Sequence, residues 1–239
     1  MESCRRRRLK TERARRLACV TALLLLCQHL APGQSPPAAA PKSPGAFQHA
    51  KRAGEDASAT FEFETSGFSY HIAANGNGRR TRDDKTRRFN LRLEGGDYIE
   101  TLYFSEYAGD LLLACGVTDG ESGAGFVVRL EQPSMRARWK QHVPTFNPGE
   151  PLREGRYLYV TAVGFIAKLD LETGEYAWKH DGLNDTREGA SKSFTTFDTP
   201  EIRGDTVLFK DGILFKDDAV YNRKTVAVDK KSGKIIRIE

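Results

Sequence analysis

Histidines, one cysteine and a run of arginines are the residues of this sequence whose chemistry could make a site. Beyond residue 49 the histidines are His71, His142 and His180, and no two stand at the short spacing by which a helix or hairpin sets two metal ligands side by side. They read as surface or hydrogen-bonded side chains. Cys115 lies in the apolar run "DLLLACGV" and reads as a small buried hydrophobe. The other cysteines, Cys4, Cys19 and Cys27, fall near the N-terminus, so neither a disulfide framework nor a cysteine metal site is expected in the remainder. Ser66-Gly67 and Ser122-Gly123 lack the G-x-S-x-G setting of a nucleophile elbow. "ANGNGRR" is rich in glycine, but no apolar helix follows it, so it reads as a hairpin end rather than a phosphate loop. The densest charge is "RRTRDDKTRR" (79–88), with six cations against two acids. Arg79, Arg80, Arg82, Arg87 and Arg88 read first as a solvated loop. Their second reading is a patch for an anionic polymer such as lipopolysaccharide, a cell-wall polyanion or a glycosaminoglycan. Aromatic residues do not interleave the run, which argues against stacking on single-stranded nucleic acid. Asn184-Asp185-Thr186 is a glycosylation sequon if the source is eukaryotic. No catalytic, metal-binding or cofactor-binding residue and no cofactor is expected.

Charge and length bound what positions these residues. The chain has 239 residues and a formal charge of +5, enough for one sizeable domain. Eight of the 37 Lys and Arg lie in the first 16 residues, and removing residues 1–31 leaves 29 basic against 30 acidic residues. That near-neutral body gives no reason to expect nucleic acid as a partner. "RRRRLKTERARR" followed by the 11-residue apolar run "LACVTALLLLC" has the shape of a cationic n-region and a secretory h-region. The run is short for a bilayer span, which needs roughly 20 residues. Residues 1–31 are expected to be a signal peptide or short anchor, and residues 32–58, rich in Pro, Ala, Gly and Ser, a disordered tether. The chain is accordingly expected to be exported, to the periplasm or beyond, with an N-terminal membrane tether as the variant.

From Thr60 onward short alternating strands are separated by turn residues, and no stretch keeps a helical period over three turns. "GDLLLACGVTDGESGAGFVVRLEQPSMRARW" (109–139), "GRYLYVTAVGFIAKLDLETGEYAW" (155–178) and "GDTVLFKDGILFKDDAVYNRKTVAVDKKSGKIIR" (204–237) are copies of one unit. Each has a first strand, a second strand ending in an acid (Glu131, Asp170, Asp229), then Trp139, Trp178 or Arg237 eight residues later. The starting glycines are 46 and 49 residues apart. A further strand is expected before each copy, in "ETLYFSEY", "VPTFNP" and "SFTTFDTPEI". Four antiparallel strands per unit of this length is the arithmetic of a propeller blade. "TFEFETSGFSYHIAA" and "RRFNLRLEGG" supply a divergent N-terminal blade.

The motif resembles the pyrroloquinoline-quinone (PQQ)-dehydrogenase-like propeller repeat, on Asp170, Thr173, Gly174 and Trp178 in "KLDLETGEYAW" and on Ala227, Asp229, Ser232, Gly233 and Lys234 in "AVDKKSGKIIR". The upstream copy keeps only the Trp139 end. The resemblance covers about residues 97–239 and implies that the indole docks on the neighbouring blade. It also implies that Asp170 and Asp229 are structural, since quinone-binding members use larger rings, a metal ion and commonly a vicinal cysteine pair that this chain lacks. The expected fold is all-β: residues 59–239 form a small propeller of about four four-stranded blades, with an incomplete ring as the variant. The expected function is that of small exported bacterial propellers, a non-catalytic scaffold binding a protein partner or an anionic envelope polymer. Segments around 118–125 and 210–224 are the candidate contact loops. The alternative is part of a larger ring, a homodimer through an open propeller edge or a hetero-assembly, with cofactor, sugar or enzymatic activity.

Overall fold

Alternation of apolar and polar residues sets which face of each strand is covered, and it changes along the chain in step with the architecture. The computed structural model describes residues 46–94, 97–145, 148–183, 197–211 and 224–239. The chain enters as two short strands, β1 (Gln48–His49) and β2 (Lys51–Ala53). It continues through β3 (Thr60–Thr65), β4 (Phe68–Ala73), β5 (Asn77–Arg82) and β6 (Lys85–Asn90). Next come β7 (Tyr98–Tyr107), β8 (Asp110–Thr118), β9 (Gly123–Leu130) and β10 (Ala137–Val143). β11 (Leu152–Glu154), β12 (Tyr157–Ala162), β13 (Phe165–Asp170) and β14 (Tyr176–His180) follow, then β15 (Glu201–Arg203), β16 (Thr206–Lys210), β17 (Thr225–Asp229) and β18 (Ile235–Ile238).

These form four antiparallel meander sheets, with orders β2-β3-β4-β5-β6, β1-β7-β8-β9-β10, β11-β12-β13-β14 and β15-β16-β17-β18. The chain is an all-β, small propeller of four blades. Blade 1 is the divergent N-terminal unit, and blades 2, 3 and 4 are the three sequence copies. Three apolar clusters join successive blades. The first holds Phe61, Tyr70 and Ile72 of blade 1 against Leu111, Leu113 and Cys115 of blade 2. The second holds Leu112 and Val127 of blade 2 against Leu158, Phe165 and Leu169 of blade 3. The third holds Tyr159, Ile166 and Trp178 of blade 3 against Val207, Phe209 and Val226 of blade 4. Among the described residues no cluster joins blade 4 to blade 1.

Two expectations need correction. The strand before the third blade is not "VPTFNP": Val143 closes β10, and the inner strand is β11, set by pairing of Leu152–Glu154 with Tyr157–Tyr159. The sequence predicts a tether as far as residue 58, yet Phe47 and Ala50 are fully buried, and β1 pairs with β7 while β2 pairs with β3. Backbone pairing at two adjacent sheet edges holds this segment, so it needs no apolar period to fold. The fourth-blade inner strand is β15, preceded by a bridge between Phe197 and Asp211. The leader, the sequon and most of the 210–224 loop lie outside the described residues.

Candidate functional site: the blade seams and the outer face of blade 1

The seams between blades 2 and 3 and between blades 3 and 4 are built on a turn whose backbone hydrogen bonds repeat. Gly174 N–H donates to Asp170 O and Asp170 N–H to Glu175 O, while Gly233 and Asp229 repeat both bonds with Asp229 O and Lys234 O. The acid seals each turn. Asp170 Oδ1 accepts Glu172 N–H at 2.9 Å, and Asp229 Oδ1 accepts the Ser232 amide at 2.7 Å and hydroxyl at 2.6 Å. Thr173 Oγ1 accepts Glu175 N–H at 3.2 Å. Pairing with Arg156 holds the Asp170 carboxyl below its usual range, and the Ser232 hydroxyl does the same for Asp229.

On this turn rests the indole of the preceding blade. A Cβ added to Gly174 would lie 2.5 Å from Trp139 Cγ, and one on Gly233 would lie 2.5 Å from Trp178 Cγ. Trp139 Nε1 donates to Leu171 O at 3.1 Å and Trp178 Nε1 to Lys230 O at 3.3 Å. The structure thus brings Trp139, Asp170, Thr173 and Gly174 into one seam, and Trp178, Asp229, Ser232 and Gly233 into the next.

Sequence reasoning missed a second donor in each seam. Arg129 Nη1 donates to the same Leu171 O at 2.8 Å, and Lys168 Nζ to the same Lys230 O at 2.9 Å. Arg80 makes the equivalent bond to Gln132 O, from blade 1 to blade 2. The signal was present: a cation stands two residues before the acid in "RLE" and "KLD", where the repeat motif carries alanine, as blade 4 does at Ala227. Arg129 is nearly fully buried, and Asp110 Oδ2 accepts its Nε at 2.7 Å as well as Arg138 Nε at 2.6 Å. Such a buried cation is tolerable only because acid and carbonyl both pair with it.

The upstream copy keeps more than its tryptophan. Met135 takes the glycine position of the turn with φ +56°, its N–H donating to Glu131 O at 2.7 Å. No indole covers this turn. Arg87 stands where the tryptophan would, opposite Arg80 across β5 and β6, and donates to Ser134 O at 3.3 Å. The Met135 side chain is buried in the blade 1–2 cluster.

The five arginines of the basic run therefore do not form one patch. Alternation along β5 and β6 sends Arg80, Arg82 and Arg87 toward blade 2, where Arg80 and Arg82 lie 4.3 and 5.0 Å from the Phe68 ring centre. Arg79 and Arg88 point the other way, directly opposite each other. On that outer face a row Lys51, Glu62, His71, Arg79, Arg88 crosses all five strands. His71 Nδ1 lies 3.2 Å from Glu62 Oε1, and the Thr81 and Thr86 hydroxyls pair at 3.0 Å. Glu62, Glu64, His71, Arg79, Thr81, Thr86 and Arg88 are among the residues lining an open cleft of about 730 Å³. A second cleft, of about 430 Å³, lies at the turn end of blades 1 to 3, where Glu106 already accepts from Thr65 at 2.5 Å.

Reactive groups are sparse. Burial pushes the Cys115 thiol well above its ordinary value, so it is not a thiolate nucleophile. Among the described residues no group of three or more His, Cys, Asp and Glu could hold a metal ion. His180 Nε2 is engaged with Gly233 O at 2.7 Å. In the 118–125 hairpin Asp119 accepts the amides of Glu121 and Ser122 at 2.9 and 2.6 Å, so this candidate contact loop satisfies its own polar groups. No helix among the described residues is long and apolar enough to cross a membrane.

No protein-family model and no curated protein matches the chain. Among solved structures it is similar to the computationally designed Ika8 protein, with 8% identity over 80% of this chain and 61% of that chain, TM-score 0.46. It is also similar to quinohemoprotein alcohol dehydrogenase from Comamonas testosteroni, with 13% identity over 82% of this chain and 37% of that chain, TM-score 0.46. A europium-containing methanol dehydrogenase shows 11% identity over 64% of this chain and 39% of that chain, TM-score 0.36. The chain thus spans less than two thirds of each of these proteins. Strand order and the repeated seam define the class: a small four-bladed propeller.

Proposed function

We propose that this chain is an exported, non-catalytic propeller scaffold of quinoprotein-type repeats that holds an anionic partner on the outer face of blade 1. The carrying observation is the Arg79–Arg88 pair. Like charges directly opposite on a sheet destabilise it, and among the described residues neither side chain makes an ion pair, whereas Arg80 and Arg87 are satisfied by carbonyls of blade 2. A phosphate, sulfate or carboxylate of a polymer would offset that repulsion and take the nearby threonine hydroxyls as donors. The leader supports export. The full chain applied to immobilised heparin should elute at markedly lower salt when Arg79→Gln and Arg88→Gln are combined. Lys231→Gln with Lys234→Gln, on blade 4, should leave elution unchanged. Equal elution of all three proteins would remove the reading.

A second reading, a subunit of a larger ring, is favoured by the outer face of blade 1, on which no apolar cluster rests among the described residues. It predicts a discrete assembly by light scattering with stoichiometric calcium or quinone. The β5–β6 turn of blade 1 is the two-residue Asp83-Asp84, both at positive φ, so a seam there would be of the glycine-free kind that Arg87 makes on the Met135 turn, with Arg237 in place of an indole.

A further inference from the structure

We infer that the outer edge of blade 4 is a self-association surface, on which a second copy of this chain pairs its β18 antiparallel, centred on Ile238. This is independent of the anion reading. The four outermost strands are equivalent in register. Trp139, Trp178, Arg237 and Arg87 stand opposite Arg129, Lys168, Ala227 and Arg80 respectively. The next residue along each edge is Lys140, Lys179, Ile238 and Arg88. The bulged residue before it is Arg138, Ala177 or Ile236 in blades 2 to 4. Three blades therefore guard their open edge with a cation, the usual defence against edge pairing. Blade 4 carries isoleucine at both positions. Ile236 and Ile238 are 55% and 49% exposed, the exposed large hydrophobics among the described residues.

The backbone of that edge is oriented for pairing. Thr225 and Glu239 exchange both hydrogen bonds, at 2.5 and 3.0 Å, so Glu239 directs its N–H and C=O at β17. In an antiparallel ladder the neighbouring residue directs its own outward, which leaves the Ile238 pair at the open edge.

Charge selects both partner and register. A two-fold antiparallel pair must centre on one residue. Centring on Arg237 opposes two arginines. Centring on Ile238 lets the two Ile238 exchange both backbone bonds and sets Arg237 of each copy against Glu239 of the other. These two side chains are each 60% exposed and lie on one face, 3.3 Å apart within the strand. The edge is therefore its own complement. One short strand buries less than the roughly 1,200 Å² of a stable interface, so the association is weak.

Light scattering and sedimentation of the full chain over a concentration series should show a reversible monomer–dimer equilibrium. Ile238→Lys, which installs the residue the other edges carry, should weaken it at least tenfold at unchanged Tm. Arg237→Glu and Glu239→Arg should each weaken it similarly, and the double swap should restore it. A strict monomer throughout the series, a dimer indifferent to Ile238→Lys, or a double swap no better than either single change overturns the inference. An unchanged Tm separates loss of pairing from loss of fold.

Discussion

At Gly174 and Gly233 the backbone adopts φ of +76° and +75°, and the indole of the preceding blade fills the volume a Cβ would need. Where that indole is absent, at Arg87, the turn carries Met135 instead. Tryptophan and glycine thus occur together in two seams and are both replaced in the third. Gly155 is the internal control, since its φ is +58° but nothing lies within 4 Å of its added Cβ. Gly155→Ala should cost only the left-handed penalty of about 1 kcal/mol. Gly174→Ala adds displacement of a packed ring and should cost about 2–4 kcal/mol. Denaturant unfolding of both variants checks this, and equal losses would detach the indole from the glycine requirement. The turn acids set an acid limit as well. Asp170 is held low by Arg156 and Asp229 by Ser232, and Glu172 by Tyr107 and then Arg129. A carboxyl with a depressed folded pKa contributes stability fully above its unfolded value, about 4, and loses it as pH falls through the lower folded value. Stability should therefore hold from neutral pH to about 5 and then fall, with a shallower acid limb in Asp170→Asn, read by urea unfolding at stepped pH.

Burial on one face or two is what made some elements readable and others not. β3 alternates, Phe61 and Phe63 inward and Glu62 and Glu64 exposed, because blade 1 is covered on one side. β8 is buried from Asp110 to Val117, since Leu111 and Leu113 face blade 1 while Leu112 and Ala114 face blade 3. Both patterns stand in the sequence, as does the Thr-Gly turn after Asp170. Three features did not show. β1, β2 and β11 are two or three residues long and held by backbone bonds to a neighbouring strand, which leave no side-chain period. The blade 2 turn escaped because Met135 replaces its glycine. The split of the basic run depends on strand register, which fixes that Arg79 and Arg80 point to opposite faces. The entering segment gives its own test. Phe47 is 1% exposed and packs in the blade 2–3 cluster, so Phe47→Ala should cost about 3–5 kcal/mol. A loss below about 0.5 kcal/mol, the usual range for surface sites, would place this segment outside the core.

Among the described residues the seams follow one another in a linear succession. Each blade touches its neighbours in the chain, and the clusters run 1–2, 2–3 and 3–4, so stability is a sum of blade terms and nearest-neighbour terms, as in a solenoid. Among the described residues blades 2 and 3 are covered on both faces by apolar seams, whereas blades 1 and 4 each have one such seam. Blade 4 leans on blade 3 through Trp178, which meets Phe209 edge-on at 6.2 Å and covers Gly233, with Lys168 sharing the Lys230 carbonyl. Removing that ring weakens one seam and leaves the other two intact. Trp178→Ala should therefore open blade 4 alone. Native-state hydrogen exchange should show β15 to β18 losing protection by the equivalent of about 3–5 kcal/mol, while β8 and β9 stay near their wild-type rates. Trp139→Ala should instead weaken the middle seam and lower protection on both sides of it. A closed ring would spread either loss over all four blades, because each blade would be held from two sides, so uniform deprotection in Trp178→Ala would show a fourth seam and replace the open succession with a cycle.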